Sequence, residues 1–319
     1  HFFTEVRYKG TKTVAITPDY SEVAKLSDIW LHPKQGTDAA VAMAMGHVIL
    51  KEFYFDKRSA YFDDYARRYT DLPMLVMLKE HTLPSGEKVL VPDRYLRASD
   101  FEGQFGQANN PEWKTVAFDE GGAVVLPNGA IGFRWGPDGR ADQGQWNLEA
   151  KEAQNGSAVK LMLSLLEGKP PATDTARVGF PYFGGIASEH FPNNVLKGEN
   201  GDVLVRTVPV RSLALGTTGK VLVATVFDLQ VANYGVARGL AGELAAKDFD
   251  DDTPYTPAWQ ERITGTPRDQ VIAVARQFAD NADKTHGRSM VIIGAAMNHW
   301  YHSDMNYRGV INMLMMCGC

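Results

Sequence analysis

Three stretches of the chain carry side chains whose chemistry goes beyond packing. The first, Thr17-Pro18-Asp19-Tyr20, places a carboxylate just past a β-prone run. In nucleotide-binding α/β sheets a carboxylate at that position accepts hydrogen bonds from ribose hydroxyls; a turn aspartate beside Pro18 is the plainer reading. The second, Gln35-Gly36-Thr37-Asp38, opens a helix. Gly36 lets backbone approach a ligand closely, and the first N–H groups of the helix are free to bind it. Asp38 would repel a phosphate there but would accept from the N–H groups of a guanine, so a purine edge is the more consistent ligand. An ordinary capped helix explains the same residues. The third is Gly294-Ala295-Ala296-Met297-Asn298-His299-Trp300-Tyr301-His302. It can hydrogen-bond a heterocycle and bring His299 or His302 near a reacting oxygen. Two alternatives stand beside it. Trp300 and Tyr301 could be core with His299 structural, or His299-x-x-His302 and Cys317-x-Cys319 could bind zinc, although C-x-C is tighter than the usual spacing.

Other conspicuous residues point to structure. Phe180-Pro181-Tyr182-Phe183-Gly184-Gly185 could line a channel but reads more simply as an aromatic loop sealing a core, and Arg67-Arg68 could bind phosphate but reads more simply as a solvated helix face. His47 is expected to be packed or capping. No Gly-x-Gly-x-x-Gly, P-loop, nucleophile elbow or Cys-x-x-Cys occurs, which removes support for NAD, ATP and hydrolase readings.

The elements that would position these groups follow from periodicity. A strand over 13–17, a short helix over 21–27 and an apolar stretch over 29–31 precede a helix from Thr37, the expected N-cap, to about 54. Its Val41, Ala44, Met45 and Val48 recur at i, i+3, i+4 and i+7, which marks a buried face. Between 71 and about 201, strand-like runs at 74–78, 113–118 and 123–126 alternate with turns at Asn128-Gly129, Pro137-Asp138-Gly139 and Asn200-Gly201. Strands over 203–210 and 221–227 flank Gly216 to Gly219 as a hairpin or meander, and the acidic run 248–252 reads as a solvated loop. Thr266-Pro267-Arg268-Asp269 starts a helix to about 282, with Thr266 as the expected cap; a strand over 290–293 and a helix over 310–316 follow.

Composition bounds the function classes. The 319 residues suffice for two lobes, and 44% hydrophobic, 22% charged and 10% aromatic residues are ordinary for a packed protein. A net charge of -5 gives no electrostatic reason to expect nucleic acid. No run of ~18 apolar residues predicts a membrane span. Two cysteines exclude a disulfide framework and fit a reducing compartment. The chain starts on His1 without Met and stops after an apolar run, so it reads as an interior piece with both ends cut.

The series Ala15-Ile16-Thr17-Pro18-Asp19-Tyr20, Ala24-Lys25-Leu26-Ser27-Asp28 and Pro33-Lys34-Gln35-Gly36-Thr37-Asp38-Ala39-Ala40 resembles the molybdopterin oxidoreductase family. In that family a strand-end acid, an A-x-L-x-D stretch and a P-G-T-D turn hold the guanosine of a molybdopterin guanine dinucleotide. Gln35 stands where many members have Pro. That departure, with 61–76, 109–118 and Asn298-His299-Trp300-Tyr301-His302, looks like the nitrate-reducing respiratory members, and the likeness runs nearly end to end except at 83–93 and 139–175.

The resemblance implies an α/β fold of Rossmann-like parallel-sheet lobes with irregular β-rich insertions: a guanosine-binding lobe over 1–70, insertions over 71–250 and a segment over 251–319 bordering the pterin and metal. It implies that Thr17, Asp19, Tyr20, Gln35, Gly36 and Asp38 contact guanosine. Gly294, Met297, Asn298 and His299 would border the pterin, and His302 or His299 would approach the metal or its oxo-anion. It implies a molybdenum-bis(molybdopterin guanine dinucleotide) cofactor and a [4Fe-4S] cluster, the ligands of the cluster and of the metal lying outside this chain. It further implies nitrate as substrate, an iron–sulfur beta subunit and a haem-containing membrane gamma subunit as partners, and a place at the cytoplasmic face of the bacterial membrane. Another oxo-anion oxidoreductase of the family (acting on nitrite, chlorate or selenate) and a non-catalytic nucleotide-binding module are the alternatives.

Overall fold

A computed structural model describes residues 2–105, 114–127, 151–182, 195–216 and 219–319. The turns expected at 128–129 and 137–139, Trp113 and residues 183–185 lie outside them. The chain forms two compact units. The first comprises 1–62, 234–236 and 246–319, and the second 63–233 and 237–245. The segments expected separately as 1–70 and 251–319 thus contribute largely to one unit.

The first unit begins with α1 (Phe2–Tyr8), β1 (Val14–Ile16), α2 (Glu22–Leu26) and β2 (Ile29–Leu31). The two strands pair in parallel, Val14 opposite Ile29 and Ile16 opposite Leu31. Asp28 fixes where β1 starts: Oδ2 accepts from Thr13 N at 2.8 Å and Thr13 Oγ1 at 2.9 Å, and Oδ1 from Arg7 Nη2 at 3.1 Å. The Thr13 amide, then its hydroxyl and Arg7, lower the Asp28 pKa to about 2. Helix α3 (Asp38–Ile49) follows and continues without a break as a π-helical stretch, Leu50–Asp56, so it outlasts the expected end near residue 54. Its interior is buried nearly all round, from Ala40 to Ala42 and from Ala44 to Ile49. His47 is packed there as expected, its Nδ1 donating to the Tyr234 carbonyl at 2.6 Å.

The chain then builds the second unit. Helix α4 (Ala60–Tyr69) leads into β3 (Leu75–Thr82), β4 (Lys88–Tyr95), the short pair β5 (Ala117–Phe118) and β6 (Val124–Val125), and β7 (Thr175–Tyr182). Next come β8 (Val195–Lys197), β9 (Asp202–Pro209), β10 (Arg211–Leu215), β11 (Gly219–Thr225) and α5 (Val226–Asn233). Seven strands form one mixed sheet in the order β10-β11-β3-β4-β7-β9-β8, with only β4 and β7 parallel. Alternation along β3 divides its side chains between two cores: Leu75 packs with Leu96, Phe118 and Val223, and Val76 with Val178, Val208 and Leu229. Phe180 and Tyr182 belong to β7 and not to a loop, and Phe227 belongs to α5 and not to the strand before it. Arg67 is buried rather than solvated: it pairs with Asp63 at 2.7 Å and Glu167 at 3.0 Å and donates to the Leu161 carbonyl, whereas Arg68 pairs with Asp64.

A polar centre of this unit is Asp228, buried together with Arg238. Its carboxylate accepts from Ser164 Oγ (2.7 Å), Leu165 N (2.8 Å), Thr225 Oγ1 (3.0 Å) and Arg238 Nη1 (2.8 Å). Burial raises its pKa against the opposing pull of Arg238. The acid joins α5 to the β11 end and to the turn at 164–167.

The last helices return to the first unit: α6 (Pro257–Thr264), α7 (Arg268–Thr285) and α8 (Ser303–Met316). The cap of α7 is Pro267, not Thr266, and that of α8 is His302, so α8 starts well before the apolar run that advertised it. The strand expected over 290–293 does not form. The segment carries no assigned secondary structure, with Met290 76% and Ile292 77% exposed; β-prone side chains do not make a strand without a neighbouring segment to pair with. The acidic run is more than a solvated loop: Asp248 Oδ1 accepts from the Asp250 and Asp251 amides, and Asp250 and Asp252 pair with Arg268 and Arg262.

Two outcomes follow from these clamps. Arg238→Met leaves the Asp228 charge buried without its counter-ion and is expected to cost about 3–5 kcal/mol in denaturant unfolding; a loss below about 1 kcal/mol would show that the neutral donors suffice. Because the Asp28 pKa is lowered on folding, its contribution is present above the ordinary value of about 4 and is lost as pH falls towards about 2. The stability gap between the parent and Asp28→Ala should therefore close over that window, and a gap independent of pH would contradict the clamp.

Candidate functional site

The groups singled out by type gather at strand ends and helix starts of the first unit. At the end of β1, Thr17 N continues the ladder to Leu31 O at 3.1 Å, and Thr17 Oγ1 donates to Asp19 Oδ1 at 2.9 Å. Asp19 is exposed and held as a side-chain acceptor beside the strand end. Trp30 Nε1 donates to the Thr17 carbonyl at 2.9 Å, and its ring lies between Tyr20 at 5.1 Å and His32 at 5.0 Å. Sequence reasoning missed Trp30 and His32; the available signal was two aromatic rings flanking the buried Leu31 at the end of a parallel strand.

The turn before α3 is rigid for local reasons. Lys34 N donates to Thr264 O at 2.9 Å, and the Lys34 carbonyl accepts from both Thr37 N at 3.2 Å and Thr37 Oγ1 at 2.6 Å. Thr37 is the N-cap residue of α3 as expected, but its hydroxyl points back into the turn and makes no cap bond to the helix. Gly36 has a φ of +76°, which side-chain-bearing residues rarely adopt, and a Cβ there would find only the Trp300 ring, at 3.9 Å. Gln35 and Gly36 are exposed at this corner. Asp38 is half-buried; burial raises its pKa above the usual carboxylate value, opposed only by its own amide. No side chain among the described residues is recorded as donating to it.

Gly294 begins a 3-10 turn, Ala295–His299, and the chain then enters α8 through His302 in the left-handed region, φ +61°. Asn298 and His299 are exposed and Met297 is half-buried. Asn298 Oδ1 accepts from the Tyr307 hydroxyl one turn into α8. Tyr301 is 88% exposed and stacks edge-on against His302 at 4.2 Å. This loop meets the α3 turn twice, through Trp300 over Gly36 and through Asn306, whose Oδ1 accepts from Ala39 N at 3.0 Å. No hydrogen bond among the described residues joins His299 or Asp19 across this corner. The zinc alternative is not assembled: among the described residues no three of His, Cys, Asp and Glu stand together to hold a metal ion, and Cys317 is buried at the far end of α8.

A half-buried carboxylate with no side-chain donor, beside a glycine whose nearest neighbour is the Trp300 ring, can accept hydrogen bonds from N–H groups of a ligand. It suits a phosphate poorly.

Comparisons with known proteins converge. The chain is 58% identical over all of its 319 residues to the respiratory nitrate reductase 1 alpha chain and 57% identical to the respiratory nitrate reductase 2 alpha chain, both of Escherichia coli K12. It is 41% identical over its whole length to the nitrate reductase alpha chain of Bacillus subtilis 168. In each case it spans 24% of the relative, so it covers about a quarter of the proteins it matches. With all of residues 1–319 matching the family described as molybdopterin oxidoreductase, this α/β chain belongs to that family, whose cofactor is a molybdenum–molybdopterin.

Proposed function

We propose that this chain is the cofactor-gripping part of a molybdenum catalytic subunit that reduces nitrate to nitrite. The observation that carries this is the head of α3, where Asp38 offers a half-buried carboxylate with no side-chain donor next to the Gly36 turn. The identity to nitrate reductase alpha chains supports nitrate as the oxo-anion. The cofactor would be the bis(molybdopterin guanine dinucleotide) form, working with a [4Fe-4S] cluster. When bound, it supplies the two-electron oxygen-atom chemistry.

The chain's own residues bind and orient. Asp38 accepts from the guanine edge, Gly36 and Gln35 bring backbone against the base, and Thr17, Asp19 and Tyr20 receive the ribose at the end of β1. Gly294, Met297, Asn298 and His299 border the pterin, and an imidazole, His302 or His299, faces the oxo-anion. The wider assembly rests on the family resemblance: quinol electrons in anaerobic respiration, an iron–sulfur beta subunit, a haem-bearing gamma subunit in the membrane and a position on its cytoplasmic face. Among the described residues no helix is long and apolar enough to cross a membrane.

Asp38→Ala in the full-length enzyme is expected to lower bound guanine nucleotide per polypeptide while changing stability by no more than about 1 kcal/mol. Nucleotide released by acid and quantified by chromatography checks this, and full occupancy would remove Asp38 from the site. For His302→Ala the expected outcome is parental nucleotide content with altered nitrate turnover from a viologen donor. Unchanged kinetics would return His302 to a purely structural role.

A further inference from the structure

Asn306 is 3% exposed on the buried face of α8, alongside Gly309, Met313 and Met316. A buried amide between helices has a cost unless its groups are used, and an apolar residue packs there more cheaply. Only half of this amide is used: Oδ1 accepts from Ala39 N at 3.0 Å, while Nδ2 is buried with no partner. The orientation is set by chemistry, because a backbone N–H must meet the oxygen and not the nitrogen. One turn further on, Gly309 lets α8 close on α3, since a Cβ there would stand 3.1 Å from Ala42 Cβ. The pairs 306 with 39 and 309 with 42 make the two helices run the same way, so both begin at the same corner. Ala39 is the second residue of α3, and the residue that would cap it locally, Thr37, has turned its hydroxyl to Lys34 O.

We propose that Asn306 is the positioning residue of this corner: it caps α3 from α8, and so fixes the direction of the Asp38 carboxylate and registers the loop ending in His302 against the Gly36 turn. The inference rests on Asp38 being the purine-edge acceptor. Asn306 itself touches neither base nor oxo-anion; it acts through the Ala39 amide. The oxygen is the working atom, so an isosteric carboxylate can replace the amide, whereas a hydrocarbon of similar size cannot.

The test compares Asn306→Leu, Asn306→Asp and Asp38→Ala in the full-length enzyme, reading guanine nucleotide per polypeptide, melting temperature and hydrogen exchange of the peptide spanning 36–42. Asn306→Leu should hold about five-fold less nucleotide, the size of a lost helix cap, with faster exchange at 36–42. Asn306→Asp should keep both near parental values. The proposal is overturned if Asn306→Leu lowers only the melting temperature, or if Asn306→Asp loses as much nucleotide as Asn306→Leu. If Asp38→Ala keeps full nucleotide, the Asp38 reading fails and this one with it; if Asp38→Ala loses nucleotide and Asn306→Leu does not, only the role of Asn306 fails. Should Asn306→Leu not fold, exchange in Asn306→Asp decides: parental protection at 36–42 supports the oxygen as the cap, and faster exchange rejects it.

Discussion

Helix α3 is enclosed by α6, α7 and α8, and that enclosure fixes everything the first unit presents at its strand-end corner. Gly46 shows how little slack exists, for a Cβ there would collide with the Tyr234 ring. A core packed this densely resists rotation of the helix about its axis, because interiors have the density of organic crystals. The side chains at the exposed end inherit that rigidity. Asp38 keeps a set direction even though it is only half-buried, and Gly36 can hold a left-handed conformation next to an aromatic ring.

The same helix is held along its length by α8. Asn306 secures the start, and beyond α3 the π-helical stretch and the residues after it reach the other end of α8. Tyr54 donates to the Met316 carbonyl at 2.8 Å, and Tyr61 to the Gly318 carbonyl at 2.6 Å. These bonds satisfy carbonyls that a helix end would otherwise leave unpaired. The second unit uses a different device, a fully buried acid with four donors, to bind α5 to its sheet. One unit is held by helix packing and the other by a satisfied polar centre.

Much of this was legible in local patterns. The buried face of α3, the strand before Asp19 and the body of α7 follow from apolar spacing, which depends only on neighbours in sequence. Three kinds of feature were not legible. Thr37 is the N-cap residue of α3 as expected, but its hydroxyl bonds Lys34 O instead of a helix amide, and at α7 the cap falls on Pro267, one residue past Thr266. The segment 290–293 has strand-forming residues, but pairing is a property of two segments and composition reports on one. Arg67 looked like half of a solvated basic pair until Glu167, 100 residues away, supplied its counter-charge. Of the candidate site, the types of Asp38, Asn298 and His302 stand in the sequence for anyone to weigh, whereas Trp300 over Gly36 and the bond from Ala39 to Asn306 exist only once distant segments meet.

That distance has a temporal side. Ala39 and Asn306 are 267 residues apart, and most of the sequence between them belongs to the second unit. Contacts that close so long a span carry the largest loop entropy and tend to form after local structure is in place. During synthesis the carboxylate and its turn emerge well before the helix that braces them. The brace on this corner therefore forms only after the 267 residues that separate its two partners have been made, so the turn exists for a time without the helix that steadies it.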